Sequence, residues 1–145
     1  MTIGVDIDDT ITNSHELIIK YAKEYFCTDD MVFINNIFHV AKIDNELFSF
    51  YDKYIVKMIN EYTLKDNIKE VIERLSEKGH KVIIITARCY TPFDGVIEAT
   101  KNYFKKHKIN VDKIVFRAKS KVKACKENKV DLMIDDSIEI VKKLK

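Results

Sequence analysis

The sequence predicts an α/β protein, an open parallel sheet of about four strands with helices on both faces and a small helical cap inserted after the first strand. Three features carry that expectation. Short, continuous apolar runs, the mark of strands buried on both faces, alternate with segments of helical period. The first and last of these runs end in paired acids, Asp8-Asp9 and Asp135-Asp136. Between Thr10 and Asp66 the alternation is interrupted by a mainly helical pattern far longer than an ordinary strand-to-helix connection.

Ile3 to Ile7 reads as the first buried strand. From Asp66, Ile68, Val71, Ile72 and Leu75 recur at helical spacing until Gly79, a suitable residue just past a helix end, and Lys81 to Thr86 follows as the second strand. After Pro92 a helix to about His107 groups Ile97, Thr100 and Phe104, with Val96, Ala99 and Tyr103 adjoining. Ile114-Val115-Phe116 is the third strand. Ser120 caps a helix to about Asn128 with Val122 and Cys125 inward, and Leu132-Met133-Ile134 is the fourth strand. Ser137 starts a last short helix expected to bury Ile138, Val141 and Leu144.

The interruption divides the chain into a core of residues 1–12 and 66–145 and a cap of residues 13–65. Its first helix, from about Ser14 to Phe26, presents Leu17 or Ile18, Tyr21 and Tyr25. Its main helix, from about Asn45 to Glu61, presents Leu47, Phe50, Tyr51, Tyr54, Ile55 and Met58. Aromatic weight here, with Phe33, Phe38 and Phe48 added, suits either a small core of its own or stacking on a flat substrate. The first is expected for most of these rings, because a small insert must bury something.

At 145 residues the chain is one domain's length, and 46% apolar with 33% charged residues describes an ordinary folded protein rather than a disordered or membrane-spanning one. Its apolar runs are strand-length, well short of the ~18 residues of a spanning helix. An N-terminus patterned as an acid-bearing strand does not read as a signal peptide, so a cytoplasmic location is expected. Cys27, Cys89 and Cys125 lack paired or metal-ligand spacing and are expected to be reduced thiols. A formal charge of +2 is too small to indicate a nucleic-acid surface, and the lysine runs near residues 105–108 and 119–126 read as solvated helix ends. His15, His39, His80 and His107 share no ligand spacing and read as ordinary surface or satisfied histidines.

Chemistry concentrates in the acids. If Asp6-Ile7-Asp8-Asp9 and Asp135-Asp136 arrive at one sheet edge, their charges repel unless a cation lies among them. Hard carboxylate oxygens without a local His or Cys favour Mg²⁺. Ligands of open parallel sheets bind at the strand C-termini, where Asp6, Thr86 and Asp135 are all expected.

In this order, Asp6-Ile7-Asp8-Asp9-Thr10, Thr86 ending an apolar strand, Lys121 opening a helix, and Asp135-Asp136 resemble the four motifs of the haloacid dehalogenase superfamily of phosphatases. The resemblance covers the whole core, implies that it is Rossmann-like, and places the insert where that superfamily's smaller cap lies. It implies Asp6 as nucleophile forming an aspartyl-phosphate. Asp8 would be the general acid for the leaving oxygen and then the base for the hydrolytic water. Thr86, the amide of Ala87 and Lys121 would hold the phosphoryl group. Asp6, the backbone carbonyl of Asp8 and Asp135 would ligate Mg²⁺, with Asp136 behind them or acting through water. Lys119 is the competing lysine, and Arg88 and Asn13 are candidate neighbours of the site.

Ile84-Ile85-Thr86-Ala87-Arg88, Asn102-Tyr103-Phe104, Lys121 to Cys125 and Ile134 to Ser137 further resemble the cytosolic deoxyribonucleotidase-type 5′-nucleotidases and their bacterial relatives. That resemblance implies a nucleoside monophosphate substrate. Asp9 departs from the superfamily's frequent Gly. A sugar phosphate or another small phosphorylated metabolite is the nearest alternative, and a catalytically silent Mg²⁺-binding interaction module is the alternative of another class. A receiver domain is disfavoured because its acceptor aspartate ends the third strand, where this chain has Phe116-Arg117.

Overall fold

The computed structural model describes residues 1–38 and 45–143; the expectations for His39 and Leu144 lie outside the described residues. In chain order the elements are β1 (Thr2–Val5), β2 (Thr12–Asn13), α1 (His15–Phe26), α2 (Met31–Phe38), α3 (Asn45–Glu61), β3 (Thr63–Leu64), α4 (Ile68–Glu77), β4 (Lys81–Ile85), α5 (Val96–Lys106), β5 (Lys113–Val115), α6 (Lys121–Glu127), β6 (Leu132–Ile134) and α7 (Ile138–Lys143). Four strands form one parallel sheet in the order β5-β4-β1-β6, the mixed α/β architecture the sequence predicts.

Register positions the site. Val5 pairs with Ile84 on one side and with Ile134 on the other, so the next residue of β1's path, Asp6, is level with Asp135. The Asp6 amide continues the ladder by donating to the Ile134 carbonyl at 3.0 Å. Strand β1 stops sooner than expected, at Val5 rather than Ile7. The reason is local: the Ile7 carbonyl accepts from the amides of Thr10, Ile11 and Thr12, folding the chain into a tight turn while the Ile7 side chain stays fully buried. Strand β5 likewise ends at Val115 instead of Phe116.

Alternation along β4 feeds two apolar layers. Val82 and Ile84 join Ile3 and Val5 beneath α5 and the helices that follow β1, whereas Ile83 and Ile85 pack on Ala124 and Cys125 of α6. The first layer is continuous: Tyr21, Phe50, Tyr54 and Met58 from α1 and α3 belong to the same cluster as Ile72, Tyr103 and Phe104. The aromatic insert therefore shares one core with the sheet rather than enclosing a separate one. Helix α2 and the antiparallel β2–β3 pair, Thr12 with Leu64 and Asn13 with Thr63, were not resolved by periodicity, since two-residue strands carry no readable period.

The expected burial of Ile138 and Val141 is overturned: they are 70% and 39% exposed, and α7 has no buried residue. Strand β6 is the sheet's edge, so α7 has no further strand to cover, and Leu132 and Ile134 are exposed as well. No helix of the described residues is long and apolar enough to cross a membrane.

Gly4 of β1 is paired with Met133 of the neighbouring β6, and a Cβ there would meet Met133 Sδ at 2.8 Å and Val130 Cγ1 at 3.1 Å. Overpacking of this kind outweighs the entropy gained from a Gly→Ala change, so Gly4→Ala is expected to lower unfolding free energy by about 1–2 kcal/mol in a denaturant titration.

Candidate active site

Asp6 emerges from β1 almost wholly buried, and Lys121 at the start of α6 reaches it from the opposite layer. Its Nζ lies 2.9 Å from Asp6 Oδ1 and 2.7 Å from Asp135 Oδ2, so one ammonium bridges the first and last strands of the sheet. Burial raises the Asp6 carboxyl from 3.8 to about 6, against the opposing charge and hydrogen bond of Lys121. Burial alone would lower Lys121, yet the bonds to Asp135 and Asp6 leave it above its usual value. Lys119, the competing lysine, is exposed and lies with Nζ 4.7 Å from the Tyr90 ring centroid.

Asp6, Asp135 and Asp136 each offer a carboxylate oxygen, the three within 4.8 Å of one another. This all-oxygen donor set, with no nitrogen or sulfur in it, fits a hard divalent cation such as Mg²⁺. The Asp8 carboxylate does not join it. Arg88 Nε and Nη2 donate to Asp8 Oδ2 and Oδ1 at 3.0 and 2.6 Å, and Ser14 Oγ donates to Oδ1 at 3.1 Å. Thr86 is buried just past β4, where its Oγ1 accepts from the Arg88 amide at 3.2 Å, and Ala87 beside it is exposed to the cleft.

The turn after β1 is fastened at both ends. Thr10 Oγ1 accepts from the Asp136 amide at 3.1 Å, tying the first acid loop to the last. Asp9 has φ 57°, which explains why Gly is frequent at the matching position in the resembled superfamily and why Asp, tolerant of this region, can replace it. Its Oδ1 also accepts from the amides of Ser14 and His15 at 3.0 Å each, capping α1 in place of Ser14. Asn13 bonds within the β2–β3 pair, its Nδ2 donating to Thr63 Oγ1 at 3.1 Å.

A cavity of about 340 Å³ opens between the loop after β4 and helix α3, lined by Asp8, Tyr51, Ile55, Ala87, Arg88, Cys89, Tyr90, Thr91, Phe93 and Val96. Burial and the Asp8 charge push the Tyr51 hydroxyl up to about 12, so it stays protonated and able to donate. The sequence places Tyr51 in an apolar stripe whose rings suit either a small core or stacking on a flat substrate, and it gives no sign of Ser14 as a partner of Asp8. The only available signal for Ser14 was its place just before a helix.

No protein-family model matches the chain. A curated nucleotidase from Clostridium acetobutylicum is 30% identical over 142 residues, covering 94% of this chain and 71% of that protein. Among solved structures, a haloacid dehalogenase-like hydrolase from Streptococcus pneumoniae superposes with a TM-score of 0.69 at 17% identity, over 99% of this chain and 79% of that one. A predicted phosphatase from Clostridium acetobutylicum gives 0.66 at 17% identity, over 91% and 74%.

Asp9 supports two separable effects, a tolerated left-handed backbone and a helix cap. Asp9→Gly loses the cap alone, whereas Asp9→Ala loses the cap and strains the backbone. Chemical denaturation is expected to show Asp9→Ala less stable than Asp9→Gly by about 1 kcal/mol.

Proposed function

The chain belongs to the haloacid dehalogenase superfamily of hydrolases, and from that premise we propose that it is a Mg²⁺-dependent phosphomonoesterase, cytoplasmic, that removes phosphate from nucleoside monophosphates through an aspartyl-phosphate on Asp6. The observation that carries the reading is the Lys121 bridge, which joins Asp6 to Asp135 at the C-terminal edge of the sheet.

A phosphate monoester is anionic and repels a carboxylate nucleophile. Lys121 offsets that repulsion at the nucleophile itself, and Thr86 with the Ala87 amide would hold the phosphoryl oxygens where Lys121 can balance their charge. Asp6, the Asp8 carbonyl, Asp135 and Asp136 would hold the Mg²⁺, which when bound supplies further positive charge to the transferring group. Asp6 attacks phosphorus, and the bond to the leaving oxygen breaks as Asp8 gives that oxygen a proton. Water then attacks the aspartyl-phosphate, losing its proton to Asp8 while the electron pair of the broken P–O bond returns to Asp6.

Two facts support the nucleotide. The relative at 30% identity is a nucleotidase. The cavity beside Asp8 has Tyr51, Tyr90 and Phe93 in its wall, rings suited to a planar base.

Phosphate release is expected from nucleoside monophosphates in Mg²⁺, to stop in EDTA, and to fall at least about a thousandfold in Asp6→Asn. Release from sugar phosphates with nucleotides refused would replace the substrate class, and unimpaired release by Asp6→Asn would remove the nucleophile. Calorimetric Mg²⁺ affinity carries a separate signature. Because the Asp6 carboxyl titrates at about 6 and binds metal only when ionised, affinity is expected to be level above that pH and to weaken about tenfold per unit below it.

A further inference from the structure

Arg88 is a charged side chain 5% exposed, and its donors are directed in a way that simple packing does not require. Nε and Nη2 form a two-point fork on the two oxygens of Asp8, at 3.0 and 2.6 Å. Nη1 donates to Thr100 Oγ1 at 3.1 Å, and Thr100 in turn donates its own proton to the Val96 carbonyl at 2.8 Å, so its oxygen is free to face the guanidinium only as an acceptor. The Tyr62 ring, after α3, lies with its centroid 5.6 Å from Arg88 Cζ. Three elements thus set the plane of one guanidinium, and that plane sets the Asp8 carboxylate. The Asp8 side chain is 40% exposed, so this pair joins a buried guanidinium to a solvated carboxylate and contributes little net stability once the desolvation of Arg88 and the solvent screening of Asp8 are counted. Directionality is what a planar fork adds.

We infer that Arg88 is a positioning residue that aims the Asp8 carboxylate at the water in the second half of the reaction. The inference rests on the phosphomonoesterase reading above. In that half, a water oxygen bonds to phosphorus, its proton passes to an Asp8 oxygen, the bond from phosphorus to Asp6 breaks, and inorganic phosphate leaves. A carboxylate free to swing about its χ angles spends less time in line with that water. Formation of the aspartyl-phosphate from p-nitrophenyl phosphate needs no proton from Asp8, since p-nitrophenolate departs as the anion. Loss of the fork therefore separates the two halves.

The test is rapid mixing of p-nitrophenyl phosphate and Mg²⁺ with wild type and Arg88→Lys, which keeps the charge and loses the fork. p-Nitrophenolate and inorganic phosphate are followed together, and acid-quenched enzyme is weighed for attached phosphate. Arg88→Lys is expected to release the first equivalent of p-nitrophenolate within about threefold of the wild-type rate. Steady-state phosphate release should then fall by about 10- to 100-fold while phosphoenzyme accumulates. Parallel loss of both products without a burst, or no loss of either, overturns the inference, the former making Arg88 a phosphate ligand or a structural residue. If Arg88→Lys does not fold, Thr100→Val decides. It touches neither Asp8 nor substrate, and the same burst with a smaller fall of about three- to tenfold is expected, its absence overturning the inference. A wild-type enzyme that turns over no phosphomonoester at all would instead sink the proposed function.

Discussion

Convergence of negative charge at one sheet edge is the constraint around which this molecule is arranged. Parallel pairing puts the ends of β1 and β6 level, so Asp6 and Asp135 face each other whether or not that is electrostatically comfortable. The chain relieves the repulsion with Lys121, delivered by the helix that immediately precedes β6. Burial still holds the Asp6 carboxyl above its ordinary value, because Lys121 offsets only part of the cost of taking that charge out of water. Among the described residues this corner is the group of acids spaced to hold a metal, and a divalent cation there would favour the ionised Asp6 that the protein alone holds at a disadvantage.

A second carboxylate is handled differently. Asp8 is two residues from Asp6, and an unbroken strand would point both the same way. The turn closed on the Ile7 carbonyl ends the strand between them, so Asp6 goes to Lys121 and Asp8 to Arg88. Each acid has its own cation from its own element, α6 for one and the loop after β4 for the other. The separation gives two carboxylates of one residue type different environments, one almost buried against Lys121 and one part-exposed against Arg88.

Much of this was legible in the sequence because it depends on period and punctuation. Continuous apolar runs marked β1, β4 and β6, Gly79 marked the end of α4, and acids after two strands marked the edge where Asp6, Asp135 and Asp136 come together. Preference for Lys121 over Lys119 followed from its place at a helix start; Lys121 is buried between Asp6 and Asp135, and Lys119 is exposed. What escaped was three-dimensional. Nothing in the one-dimensional pattern says that Ser14 bonds Asp8 while Asp9 does the capping, since both are good cap residues. Nor does it say that β6 is an edge, which is why Ile138 and Val141 read as buried from their spacing alone.

Helix α3 shows the same limit. Its apolar stripe is wide because it serves two faces about a third of a turn apart. Leu47, Phe50, Tyr54 and Met58, at spacings of three and four, enter the shared core and are buried. Tyr51 and Ile55, displaced by one position, look into the cavity beside Asp8, and Phe48 meets Phe93 with ring centroids 4.8 Å apart. Core residues are held by packing against the sheet, where a lost methylene is felt throughout the cluster. Tyr51 and Ile55 are only partly buried against that core, so they wall the cavity beside Asp8 while also packing on the cluster. One helix thus packs on the sheet along one face and walls the cavity beside Asp8 along the other, while Lys121 and Arg88 come from other elements.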